Sequence, residues 1–262
     1  MKQETSHANS SIFPCTSGAN VTLMPFTFGA ARAGGHVQTD TFGDGAVRIT
    51  PIDHASFLLD TGGVLIAVDP AGDATRYNDV DTPGRILITH EHGDHFDLET
   101  ITALTQNPDT KLIVNPAVMA RLPEDLQARA TSLAYGDDLF DAGIEFTAIP
   151  AYNTTEDRLN FHPQGRDNGY VLDIDGFRVY ISADTEDTPE MRALQNIDLA
   201  FVCMNLPFTM DAEAAASAVA EFAPTYVYPY HYRGRDNGTQ DPMEFANMLP
   251  DGIEAKMGNW YA

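Results

Sequence analysis

Nine consecutive residues constrain this chain more than any others: Thr89-His90-Glu91-His92-Gly93-Asp94-His95-Phe96-Asp97, which place three His and an Asp within six positions. They follow Arg85-Ile86-Leu87-Ile88-Thr89, a run that reads as a buried strand. A loop leaving a strand can aim alternate side chains at one point. His90 and His92 can therefore converge, while Asp94 and His95 point to a second, adjacent place. Neutral imidazoles and carboxylates are ligands for zinc, iron or manganese. The competing reading is a solvated polar loop, but eight His in 262 residues do not give such a density by chance.

Around this loop the chain alternates short apolar runs with helical stretches. Strands are expected over Ala46–Ile52, Ser56–Leu59, Val64–Val68, Lys111–Asn115 and Ile144–Ile149, with Asp60-Thr61-Gly62-Gly63 as a turn. Tyr170–Ile174 and Phe177–Ser182 form a hairpin through Asp175-Gly176, and Leu199–Met204 and Thr225–Tyr230 are buried strands. Helices are expected from Asp97 to Gln106, from Ala117 to Arg129 with an interruption at Pro123, from Pro189 to Leu194, and from the cap Asp211 to Phe222. Hairpins first and alternating strands and helices afterwards indicate an α/β chain with sheets packed together and helices outside. No linker separates two domains, and no repeat of 20–50 residues is visible. Residues 1–45, rich in Ser, Thr and Gly, read as a partly irregular N-terminal extension to a single domain over 46–262.

Composition narrows the partners. The hydrophobic fraction of 43% is ample for a core, and the net charge of −23 repels nucleic acid and anionic membranes. Neither is expected as a partner. A small-molecule substrate is expected, and the oligomeric state is left open. No apolar stretch is long enough to span a membrane. Ala19–Ala33 is mildly apolar but lacks a strongly basic start, so a cytoplasmic location is preferred to export. Cys15 and Cys203 make no disulfide framework, and Cys203, inside an apolar run, reads as a small buried hydrophobe.

The His-rich loop matches the H-x-H-x-D-H motif, and with it the chain resembles the metallo-β-lactamase superfamily. The resemblance covers roughly residues 46–262. It is nearest to the metal-dependent hydrolases that include ascorbate-6-phosphate lactonase-like proteins, through His54-Ala55-Ser56-Phe57-Leu58-Leu59, Val68-Asp69-Pro70, Ala183-Asp184-Thr185 and Pro229-Tyr230-His231-Tyr232. It implies an αββα sandwich of two mixed sheets, with a two-metal site at one edge. It also implies a hydroxide bridging two divalent ions that cleaves a small ester, lactone or phosphoester. Carried over, His90 and His92 serve the first metal, Asp94, His95 and His231 the second, and Asp184 bridges them, with Asp94 and Asp184 as the catalytic carboxylates. Zinc is the first expectation, then manganese, then iron. A binding or sensory protein that kept the fold without turnover, and a nuclease of the same superfamily, are the alternatives.

The third His of the first metal usually follows the strand that here ends at Ile149-Pro150, where this chain has Ala151-Tyr152-Asn153. His162 is the only His between His95 and Asp184, so a long loop would have to bring it back; otherwise it is a loop His or a substrate contact. Asp69 and His54 read as supports behind the ligands, Asp69 by holding an imidazole N–H. Their plainer readings are a turn Asp before Pro70 and a buried structural His. Tyr152, Asn153, Arg233 and Arg235 are the candidate substrate contacts. The Arg pair suggests an anionic substrate, against the plainer reading of local charge neutralisation.

Overall fold

The computed structural model describes Met1 and residues 38–261. Strands β1 (Asp40–Phe42), β2 (Val47–Asp53), β3 (Ser56–Asp60), β4 (Leu65–Val68), β5 (Arg85–Leu87), β6 (Lys111–Val114) and β7 (Ala130–Ser132) form one sheet in chain order. Strands β8 (Asp138–Asp141), β9 (Ile144–Ala151), β10 (Asp167–Ile174), β11 (Phe177–Ile181), β12 (Leu199–Cys203), β13 (Tyr226–Tyr230) and β14 (Glu254–Ala255) form a second, also in chain order. Each sheet begins antiparallel and ends parallel, the change falling at β4 in one and β11 in the other. Alternate antiparallel strands share a direction. Hence β2, β4 and β5 all end at one edge of the first sheet, and β9, β11, β12 and β13 at one edge of the second.

The sheets meet through aromatic residues. Phe57 of β3 stacks on Phe201 of β12 at 4.1 Å between ring centroids, and Phe201 stacks on Tyr228 of β13 at 5.1 Å. Trp260 presents its edge to Phe57 and donates its indole N–H to the Pro229 carbonyl. Helices α1 (Leu98–Leu104), α2 (Pro116–Met119) and α3 (Glu124–Gln127) cover the outer face of the first sheet, Ile101, Val118 and Leu126 packing with Leu58, Ile86 and Leu112. Against the second sheet lie α4 (Pro189–Arg192), α5 (Ala212–Phe222) and α6 (Pro242–Met248); Ala215, Ala218 and Val219 of α5 are fully buried. The αββα sandwich is therefore present, and strands such as β12 are apolar throughout because both of their faces are covered.

Local signals appear where they were read. Asp97 and Asp211 cap α1 and α5, accepting from the N–H groups of Glu99 and Ala214. Pro123 separates α2 from α3, and Asp175 and Gly176 both take positive φ, 51° and 90°, as a hairpin turn of this kind requires. The sequence does not announce β1, β7, β8, β14 or α6. The first four are short strands toward the sheet margins, where two to four residues carry no readable period. Strand β1 falls within the stretch 1–45 read as an extension, yet it pairs with β2. His7, Cys15, Ala19–Ala33 and His36 lie outside the described residues, while Cys203 is buried as expected. Among the described residues no helix is long and apolar enough to cross a membrane.

Candidate metal centre

The shared edge brings the candidate ligands together. His54 follows β2, Asp69 follows β4, His90–His95 follow β5, Asp184 follows β11, His231 follows β13, and His162 sits on the loop between β9 and β10. Four of these exits carry a non-glycine residue in the left-handed region: His54 (φ 51°), Asp69 (42°), Ala183 (58°) and His231 (49°). Each such residue costs roughly 1–2 kcal/mol, so their grouping at one edge marks a site whose geometry the surrounding fold enforces.

Donor atoms of His90, His92, His162 and Asp184 lie within 4.8 Å of one another, as do those of His95, Asp184 and His231. His90 Nε2 faces His92 Nδ1 at 3.1 Å. Asp184 stands between the two groups. Its Oδ2 is 3.3 Å from His162 Nε2, and its Oδ1 is 3.5 Å from the Nε2 atoms of both His95 and His231. A third group joins His54, Asp94 and His231, with Asp94 Oδ2 at 3.4 Å from His54 Nε2 and 3.3 Å from His231 Nε2.

The donors fit cations. His95 Nε2, His162 Nε2, His231 Nε2 and Asp184 Oδ1 are buried without a hydrogen-bond partner, an arrangement costly for a protein unless an ion meets them. The opposite ring nitrogens are held from outside. His95 Nδ1 donates to Asp69 Oδ2 (2.9 Å), His162 Nδ1 to the Phe208 carbonyl (3.2 Å), and His90 Nδ1 to Thr89 Oγ1 (3.0 Å), whose own proton goes to Asp69. His231 Nδ1 meets the side-chain amide of Asn205 at 2.8 Å. If Asn205 turns its oxygen to that ring, its NH2 faces Thr209 Oγ1, which can accept while donating to the Asn205 carbonyl. In that orientation His90, His95, His162 and His231 all direct an Nε2 lone pair inward, as ligation demands.

Charge follows the same plan. Burial, then the neighbouring His rings, hold His90 far below its ordinary pKa; burial, His162 and Arg166 bring His92 to about 4. Both rings are therefore neutral near pH 7. Burial opposes the ionisation of Asp184 and Asp94, yet His231 and His95 hold the Asp184 carboxyl well below the usual range, and the neighbouring His231 and His54 rings lower that of Asp94. His95 is pushed up despite its burial by Asp184 and then Asp69, the carboxylate field that equally favours a metal cation.

The other candidates divide. Asp69 is wholly buried and accepts from Thr89 N, Thr89 Oγ1 and His95 Nδ1, so it stands behind the candidate ligands. His54 does not stand behind them: its Nε2 faces Asp94. Arg233 lines a cavity of about 510 Å³ with His54, Asp94, Gly93 and Tyr261, its guanidinium 3.9 Å over the Tyr261 ring. Arg235 lies instead over the Phe208 ring at 5.1 Å. Tyr152 and Asn153 use their side-chain donors within the protein. The Tyr152 hydroxyl is committed to Glu190 at 3.0 Å, and Asn153 is buried with Nδ2 donating to the Arg158 and Phe208 carbonyls. They brace the loop that carries His162. Sequence reasoning missed Glu186, whose buried carboxylate accepts from the N–H groups of Thr154 and Thr155, from Thr154 Oγ1 and from Arg158, tying that loop to the segment after β11. It also missed Asn205 and Tyr261. The only signal available for Glu186 was its place two residues beyond Asp184.

Residues 48–231 match the family described as the Beta-lactamase superfamily domain. The chain is 30% identical over 220 residues to the UPF0173 metal-dependent hydrolase of Nitratidesulfovibrio vulgaris (strain DP4), covering 78% of this chain and 89% of that one. It is 39% identical to a protein of Parabacteroides distasonis whose crystal structure superposes with a TM-score of 0.75 over 85% of this chain and 99% of that one. Igni18, a metallo hydrolase from Ignicoccus hospitalis, shares the fold at 22% identity, with a TM-score of 0.67 over 80% and 94% of the two chains.

Proposed function

This chain belongs to the beta-lactamase superfamily as one of its metal-dependent hydrolases, and we propose that it works with two divalent ions on a small ester, lactone or phosphoester that carries negative charge. Asp184 supports this reading most: it is buried, with one oxygen turned to His162 and the other to His95 and His231. A carboxylate so placed reaches two cation positions and offsets their mutual repulsion. Divalent ions held there lower the pKa of a water to near neutrality and polarise the bond under attack. His90, His92 and His162 with Asp184 would hold one ion, and His95 and His231 with Asp184 and Asp94 the other. Imidazole and carboxylate donors suit zinc first, then manganese or iron. Asp184 would orient the nucleophile, and Asp94, its side chain 49% exposed, presents its carboxylate at the open side. Arg233 forms no ion pair among the described residues despite the chain's charge of −23, and its planar donors match a carboxylate or phosphate.

Elemental analysis of reconstituted protein after dialysis, joined to a hydrolysis screen over lactones, esters, phosphoesters and β-lactams, tests this. About two ions per chain and turnover of an anionic member are expected. A metal content near zero, or two ions with no turnover of any class, refutes it.

A further inference from the structure

His54 is the one imidazole at this edge that the two-ion scheme leaves without a duty, and its geometry is that of a ligand. It follows β2 at a left-handed φ of 51°, its ring centroid 3.8 Å from that of His231. Its Nδ1 lies 2.9 Å from the Tyr261 hydroxyl, which also accepts the Arg233 backbone N–H at 3.2 Å. A phenol oxygen has lone pairs for both donors. His54 can therefore carry its proton on Nδ1 and direct the Nε2 lone pair toward Asp94 Oδ2, 3.4 Å away. His231 Nε2, buried and unpartnered, lies 3.3 Å from the same oxygen. Two inward imidazole nitrogens and one carboxylate oxygen thus surround a single point beside the cavity that Arg233 lines.

We infer that His54 ligates the second cation together with His231 and Asp94, and that Tyr261 holds its ring in the ligating tautomer. The inference rests on the two-ion reading above. It makes the second position rich in nitrogen donors, which favours a borderline transition ion over magnesium or calcium. It also places a ligand on the wall of the cavity, so the second ion and a substrate anchored by Arg233 share one side of the site. Tyr261 acts through His54 and is a positioning residue.

Metal-stripped protein titrated with Co(II), read by equilibrium dialysis and by visible absorption, tests this without any substrate. The wild type should take up two ions. His54→Ala should keep one at wild-type affinity and bind the other at least about 10-fold more weakly, with loss of the matching absorption band, and Tyr261→Phe should weaken that same ion to a smaller extent. His162→Ala should weaken the other ion and identifies its band. Both ions bound at wild-type affinity by His54→Ala, or an unchanged second ion in Tyr261→Phe, which removes only a hydroxyl, overturns the inference and leaves the two-ion reading standing. Fewer than two ions in the wild type removes that reading, and this inference with it.

Discussion

Replacing Asp69 by Asn tests whether the hydrogen bonds behind the ligands set the strength of the site. Asp69 is fully buried and accepts from Thr89 N at 2.7 Å, Thr89 Oγ1 at 2.7 Å and His95 Nδ1 at 2.9 Å. Asn keeps the shape but turns one oxygen into a donor. If its oxygen stays with the Thr89 N–H, the new NH2 faces Thr89 Oγ1 and His95 Nδ1. The Thr hydroxyl can rotate and accept. His95 cannot keep its Nδ1 proton against another donor, so the proton moves to Nε2, the nitrogen that faces Asp184. Losing one charge-assisted hydrogen bond costs about 1.5–3 kcal/mol. Expressed as affinity, that is about a 10- to 100-fold loss at the ion proposed for His95, the range typical for partners of this kind. The ion proposed for His90, His92 and His162 should change less, because Thr89 Oγ1 can still accept from His90 Nδ1. Competition against a chromophoric chelator measures both affinities, and circular dichroism checks the fold. Wild-type affinity at both ions would show that the tautomer of His95 does not depend on Asp69. An equal loss at both would point to a general loosening instead.

Asp184→Asn should leave the fold intact and lower turnover by more than about tenfold, roughly 1.4 kcal/mol in the barrier, because the amide cannot offset two cations; retained turnover with an unchanged circular dichroism spectrum contradicts the bridging role. Arg233→Ala should raise KM for anionic substrates over neutral analogues, whereas Arg235→Ala, whose guanidinium rests on Phe208, should affect both alike; steady-state kinetics on matched pairs decides. In the metal-free protein the His92 ring should stay neutral as pH falls from 7 and take up a proton only near pH 4, since burial, His162 and Arg166 all disfavour its cation; an NMR midpoint near 6.5 would contradict this. Glu186→Gln should weaken the ion proposed for His162 while sparing the one proposed for His95, as metal titration would show, because the loop loses the carboxylate that gathers Thr154, Thr155 and Arg158.

The sequence by itself determined what depends on neighbours a few residues away. The apolar run of β5 followed by alternating His, the caps Asp97 and Asp211, the Asp175-Gly176 turn and the break at Pro123 all act through bonds and sterics within one or two turns of chain. A resemblance carried by short motifs extended this to Asp184 and His231. Tertiary structure decided the rest, because its contacts join residues far apart in sequence. His162 reaches Asp184 only because Glu186, more than twenty residues further on, gathers Thr154, Thr155 and Arg158, and because the Asn153 N–H donates to the His162 carbonyl. That Tyr152 and Asn153 donate to Glu190 and Phe208 depends on contacts that no local pattern encodes. His54 faces inward because β2 ends at the same edge as β4 and β5, and because Tyr261, 207 residues away, lies against its ring. Period and spacing state which side chains leave a strand together; only the packing of two sheets determines which of them share a point in space.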